Sequence, residues 1–252
     1  MPTDTSDMFA QWMAALEARH LADLRVPEVT RALRALSSAY VERRQTVVRG
    51  GPLDSAGKRA AFALFYAPLH FLSASHVVRE LTAHAPAPSS ILDIGCGTGA
   101  TGAAWALVAG GRPSVIGIDR HPWGVEEARW TYRALGIRGV ARRGDAGRLP
   151  AMKRGSAAIA GYVLNELSDV TRARVEGQLL AAAAKGVRVL ILEPIARGVA
   201  PWWDETARRA VNAGGRADEW RFEVDLPPLL RALDKAAGLN HRELTVRSIF
   251  LG

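Results

Sequence analysis

The stretch Ile91-Leu92-Asp93-Ile94-Gly95-Cys96-Gly97-Thr98-Gly99-Ala100-Thr101-Gly102 decides how this chain reads. Ile91, Leu92 and Ile94 suit a short buried strand, the glycines suit a tight turn, and Ala100-Thr101-Gly102 leads into an Ala-rich helical pattern. Glycines let backbone N–H groups approach a ligand closely, and the following helix offers its positive end to an anionic group. The segment reads as a cofactor loop. Gly97, Gly99 and Gly102 also satisfy the dinucleotide spacing G-x-G-x-x-G, so a nicotinamide-dependent oxidoreductase is one reading of it.

Downstream, strand and helix patterns alternate. Strands are expected at 91–95, 114–119, 139–145, 157–164, 187–193 and 244–251, with helices at 101–108, 125–134, 168–184 and 226–237. This alternation predicts an α/β fold with a doubly wound, mostly parallel sheet. Upstream, Phe9, Trp12, Met13 and Leu16 repeat at helical spacing, as do Val29, Leu33, Leu36 and Tyr40. Pro27 suits a helix start, Ser55 suits a cap for a third helix, and Pro68 should end or kink that helix. A fourth helix runs through Leu72, Val77, Val78 and Leu81 to a proline-rich link at 84–90. The expected division is an N-terminal helical lid or substrate domain, residues 1–85, and a cofactor-binding domain, residues 86–252.

Asp93 sits inside the strand, where a dinucleotide fingerprint has an apolar residue, and about 90 residues precede the motif. The segment resembles motif I of the class I methyltransferases, which implies a Rossmann-like methyltransferase fold and S-adenosylmethionine as cofactor. On that resemblance Asp93, Gly95, Cys96, Gly97 and Gly99 receive the methionine part. Asp119, with Arg120 beside it, ends the second strand, where an acid accepts ribose hydroxyls. Asp145 and Ala146 follow the third strand, resembling the family position that receives the adenine amino group. Taken singly, Asp119 or Asp145 also suits a helix cap or turn, and Cys96 suits a small loop residue.

Ligands in such sheets lie beyond the carboxyl ends of the strands. The fourth strand runs through Gly161-Tyr162-Val163-Leu164-Asn165-Glu166, which makes Glu166 a candidate general base, Asn165 an orienting or cofactor-contacting group, and Tyr162 a further catalytic candidate. The same residues also suit a helix start capped by Ser168. Glu193 ends the fifth strand; Trp202 and Trp203 after it suit stacking on an aromatic acceptor or pinning a loop. Arg208, Arg209, Arg216 and Arg221, around Gly214-Gly215, read as an insertion forming a substrate wall. Tyr66 and His70, four apart, share a helical face if the helix survives Pro68, and are candidate acceptor contacts; His70 equally suits a core histidine.

The 252 residues carry a net charge of +8. Residues 1–88 hold +2, 89–137 hold 0, 138–155 hold +5 and 156–252 hold +1. The excess thus gathers at Arg138, Arg142, Arg143, Arg148, Lys153 and Arg154, with a second basic stretch at Arg43, Arg44, Arg49, Lys58 and Arg59. Both on the cofactor-opening face would make a phosphate track; on opposite faces they are solvated surface. The lone cysteine, Cys96, excludes an internal disulfide and a cysteine-built metal cage, so no metal is expected. With no basic leader and no run of about eighteen apolar residues, a cytoplasmic protein off the membrane is expected.

Between Ala39 and Glu193, the pieces Ala39-Tyr40, Arg43-Arg44, Tyr66-Ala67-Pro68, Ile91 to Gly99, Tyr162 to Leu167 and Leu192-Glu193-Pro194 resemble, in their order, a methyltransferase-like family associated with small-ribosomal-subunit assembly. The chain lacks that family's cysteine ligands for a cluster. The resemblance implies structured, ribosomal RNA as methyl acceptor. A small-molecule or peptide natural-product acceptor in a Trp-lined pocket, and a non-catalytic assembly factor of methyltransferase fold, are the alternatives.

Overall fold

A computed structural model describes residues 5–195, apart from 43–52, and 200–252, apart from 240. Two compact units emerge: residues 3–70 with 222–244, and residues 71–221 with 245–252. The unit boundary falls inside a helix, not at the proline-rich link.

In the first unit, α1 (Thr5–His20) buries Phe9, Trp12, Met13 and Leu16, the residues its spacing selects. In α2 (Val26–Glu42), Val29, Leu33 and Leu36 are fully buried. The start of α3 (Ala56–Ala61) is capped by Ser55, whose hydroxyl accepts from the Lys58 N–H at 3.3 Å. Pro68 does not end the helical run, which continues to Glu80. A π-helical turn, Phe62–Tyr66, joins α3 to α4 (Ala67–Glu80), with the Ala67 N–H reaching back to the Phe62 carbonyl. The proline therefore sits in the first turn of α4, where a missing N–H is tolerated. The 56–80 helix, 25 residues long, is apolar enough to cross a membrane, yet 72% of its apolar window is buried inside the protein.

The second unit is built on a sheet of β1 (Ser90–Ile94), β2 (Ser114–Asp119), β3 (Gly139–Arg143), β4 (Ala157–Gly161), β5 (Arg188–Glu193), β6 (Arg216–Glu223) and β7 (Glu243–Leu251) in the order β3-β2-β1-β4-β5-β7-β6. β1 through β5 pair in parallel and β7 runs antiparallel to β5, Val189 facing Leu251 and Glu193 facing Arg247. The helices α5 (Ala100–Val108), α6 (Pro122–Ala134) and α7 (Asp169–Ala183) are the crossovers; α8 (Trp203–Asn212) precedes β6, and α9 (Pro228–Ala236) lies between β6 and β7 in the chain. Right-handed crossovers put α5 and α6 on one face and α7 on the other. β1 shows the consequence: Leu92 and Ile94 join the core that includes Val175 and Leu179 of α7, while Asp93 points the other way, to the start of α5.

The 208–221 region is α8 and the edge strand β6 rather than an inserted wall. The exposed Glu219, Arg221 and Glu223 alternate with the half-buried Asp218, Trp220 and Phe222 and hide the strand signal, because an edge strand carries charge on its outer side. β4 is three residues shorter than its apolar run, because Tyr162 leaves the extended region with φ 59°.

Candidate functional site

The site lies at the carboxyl ends of β1, β2 and β4, where the strand order reverses. Gly95, Gly97 and Gly99 all have positive φ (62°, 49° and 78°), so the loop exposes backbone that a side chain would cover. At Gly95 the fit is absolute: a Cβ would stand 2.1 Å from Val163 Cγ2. Gly95→Ala is expected to lose about 2–4 kcal/mol of stability, combining the left-handed backbone penalty with the clash, as read by chemical denaturation. A loss within about 0.5 kcal/mol would contradict that packing.

Asp93 lies beneath the loop. It is fully buried, accepts from the Gly102 N–H at 2.9 Å and from the Thr101 hydroxyl at 3.2 Å, and so ties the first turn of α5 to β1. Burial pushes its carboxyl up to about 7, against those two hydrogen bonds. Cys96 is buried, and burial holds its thiol well above its usual range. This is the protonated thiol of a small loop residue.

Asp119 supplies the open acceptor. Its Oδ2 accepts from the Gly97 N–H at 2.8 Å and its Oδ1 from the His121 N–H at 2.7 Å. Each oxygen keeps a further lone pair, which matches a pair of vicinal hydroxyls. Arg120 beside it is exposed. After β3, the exposed Asp145 accepts from the Gly147 N–H at 2.8 Å through Oδ1, with half-buried Ala146 next in the turn.

Across the loop, Leu164–Glu166 forms a 3-10 turn, followed by α7 with Ser168 as N-cap. Glu166 is half-buried; burial pushes its carboxyl up to about 7, the Arg120 guanidinium pulls it down and Asp119 pushes it up. The ends of β2 and β4 flank β1 in the sheet, which puts Glu166 within electrostatic reach of Asp119 and Arg120. Tyr162 packs its hydroxyl on Ser73 of α4, and burial first, then Glu193, holds the phenol above its usual range.

Glu193 is wholly buried and cannot meet an acceptor directly. It accepts from the Leu164 N–H at 3.0 Å and from the Asn165 side-chain amide, and burial pushes it up to about 8. Asn165 is occupied at both ends, because its Oδ1 accepts from Trp202 Nε1 at 3.2 Å. The tryptophans are engaged within the fold. The Trp202 ring faces Arg172 at 5.3 Å, and buried Trp203 carries the guanidinium of Arg247 at 4.3 Å. Arg247 itself, 3% exposed, has no signal in the sequence because only the β5–β7 register brings it to Glu193.

Tyr66 and His70 belong to the first unit. The Tyr66 hydroxyl lies 2.9 Å from the Ser37 hydroxyl, and the two rings are 6.2 Å apart. Burial pushes His70 down to about 3, so it is neutral at physiological pH.

The basic segment around β3 is divided by the sheet. Arg142 and Arg143 end β3 opposite Ile118 and Asp119, and Arg148 follows in the turn after Asp145, all three exposed near the site. Arg138 precedes β3, where its carbonyl accepts from the Val115 N–H, and Lys153 and Arg154 precede β4 at the opposite end. Arg43, Arg44, Arg49 and Arg197 lie outside the described residues. Among the described residues, no group of three or more His, Cys, Asp or Glu side chains is placed to hold a metal ion.

Residues 91–186 match the family model described as a methyltransferase domain. No curated protein matches the sequence. A solved protein of Nostoc punctiforme PCC 73102 named as an O-methyltransferase is similar at 15% identity and a TM-score of 0.53, over 92% of this chain and 71% of that one. The plantazolicin methyltransferase BpumL, solved with S-adenosylhomocysteine (SAH), is similar at 13% identity and a TM-score of 0.51, over 89% of this chain and 96% of that one. These likenesses carry the fold. With the domain match over 91–186, they give this chain a Rossmann-like methyltransferase fold, for which S-adenosylmethionine is the cofactor to test. The positive-φ glycines and the Asp119 carboxylate are a cradle of the right chemistry for that cofactor.

Proposed function

We propose that the protein methylates an oxygen or nitrogen of structured RNA in the cytoplasm, with Glu166 removing the acceptor's proton. The observation that carries this reading is the near-neutral Glu166 carboxyl facing Asp119 and Arg120 at the cofactor end of the sheet. A general base works best with a pKa near the working pH. S-adenosylmethionine supplies, when bound, a methyl group on a positively charged sulfur. The loop N–H groups and Asp119 would hold the cofactor, Asp145 and Ala146 would receive its adenine end, and Glu166 would take the acceptor's proton as the acceptor atom bonds to the methyl carbon and the sulfur–carbon bond breaks, its electron pair staying on sulfur.

For the acceptor, the support is the row of exposed Arg142, Arg143 and Arg148 beside the site, together with the motif order that resembles the ribosomal assembly family. Arg138, Lys153 and Arg154, at the far end, take no part. Replacing Arg142, Arg143 and Arg148 together with alanine is expected to flatten the log–log salt dependence of RNA binding by about 2 to 3, near one unit per phosphate contact. An unchanged slope in filter binding would remove them from the track.

The deciding experiment is transfer of radiolabelled methyl groups from S-adenosylmethionine to fractionated RNA, protein and small molecules of a cell lysate. The expected result is label in RNA. Label in the small-molecule or peptide fraction overturns the acceptor while keeping the chemistry, and SAH binding with no label anywhere favours a non-catalytic assembly factor.

A further inference from the structure

The turn after β4 is held by a hydrogen-bond chain with one direction. Trp202 Nε1 donates to Asn165 Oδ1 at 3.2 Å, and Asn165 Nδ2 donates to Glu193 Oε2. The other Glu193 oxygen accepts from the Leu164 N–H at 3.0 Å and the Asn165 N–H at 3.4 Å. An indole N–H only donates, and both Glu193 side-chain oxygens act here as acceptors, taking three N–H bonds between them. The residue between them must offer an acceptor to one side and a donor to the other, as the Asn165 amide does. Glu193 is 0% exposed, so water replaces none of these partners, and an unmatched group there is expensive. The chain ties three separate segments together: the turn bearing Glu166, the last residue of β5 and the start of α8.

We propose that Asn165 and Glu193 are positioning residues, forming with Trp202 a strut that fixes the 164–166 turn against the cofactor loop and touching neither cofactor nor acceptor. The inference rests on Glu166 as the base of the proposed reaction, but its test uses no transfer step. Glu166→Gln and the strut variants therefore fail or succeed independently.

Reversing the polarity of the strut tests it. Asn165→Asp alone sets two carboxylates against each other, and Glu193→Gln alone sets two amide donors face to face or turns one against the backbone N–H groups. In the double variant, the introduced glutamine amide donates to the introduced aspartate, which still accepts from Trp202. The readouts are the indole N–H resonance of Trp202, assigned by its loss in Trp202→Phe, and SAH affinity by calorimetry. Each single variant is expected to shift the resonance and weaken SAH binding by about tenfold, and the double variant to return both to within about threefold of wild type, a coupling of the size seen for contacting residues. If a single variant fails to fold, a folded double variant that binds SAH still gives the expected rescue. A double variant no better than the worse single one overturns the strut, as do single variants indistinguishable from wild type. Lost SAH affinity with a restored indole resonance overturns it too, because Asn165 then touches the cofactor.

Discussion

Replacing Asp119 with alanine lowers affinity for SAH by about 10²- to 10⁴-fold. The magnitude follows from two hydrogen bonds to a charged group, about 1.5–3 kcal/mol each, and about tenfold in affinity per 1.4 kcal/mol. The substitution also removes the acceptor that holds the Gly97 N–H, so the loop loses an anchor as well as the ligand. Titration calorimetry with SAH reads the effect directly. Affinity within threefold of wild type would remove Asp119 from the ribose site and leave it as a loop brace.

Replacing Glu166 with glutamine lowers methyl transfer by about 10²- to 10⁴-fold, the usual worth of a positioned general base, with SAH affinity nearly unchanged. The pH dependence gives the second signature. Burial holds the Glu166 carboxyl up at about 7. A base acts when ionised, so the wild-type rate rises with pH, reaches half its maximum near that value and flattens above it. The variant's profile loses that rise. A variant with wild-type rate and an unchanged profile shows that Glu166 only shapes the turn before α7.

The side of the candidate site proposed to hold the cofactor is legible in the sequence because its parts are local. Asp93 sits within β1, Asp119 ends β2 and Asp145 closely follows β3, and the glycines between Gly95 and Gly99 belong to one loop. The residues around the ends of β4 and β5 depend on pairings between distant segments. Glu193 meets Asn165 only because β4 and β5 are neighbours, and Arg247 meets Glu193 only because β7 runs antiparallel to β5 in that register. In the sequence Trp202 and Trp203 suit either stacking on an acceptor or pinning a loop, and those pairings give each a polar partner. β6 is hidden by its charged edge, and Pro68 misleads because the π-helical turn before it supplies a fresh helix start. The +8 charge likewise changes meaning once β3 separates Arg142 and Arg143 from Arg138.

By spacing alone the glycine loop admits two cofactor classes, a nicotinamide dinucleotide and S-adenosylmethionine. Calorimetric titration of the full chain with SAH and, separately, with NADH separates the two. Saturable one-to-one heat with SAH and none with NADH is the predicted result; saturable heat with NADH and none with SAH would contradict it.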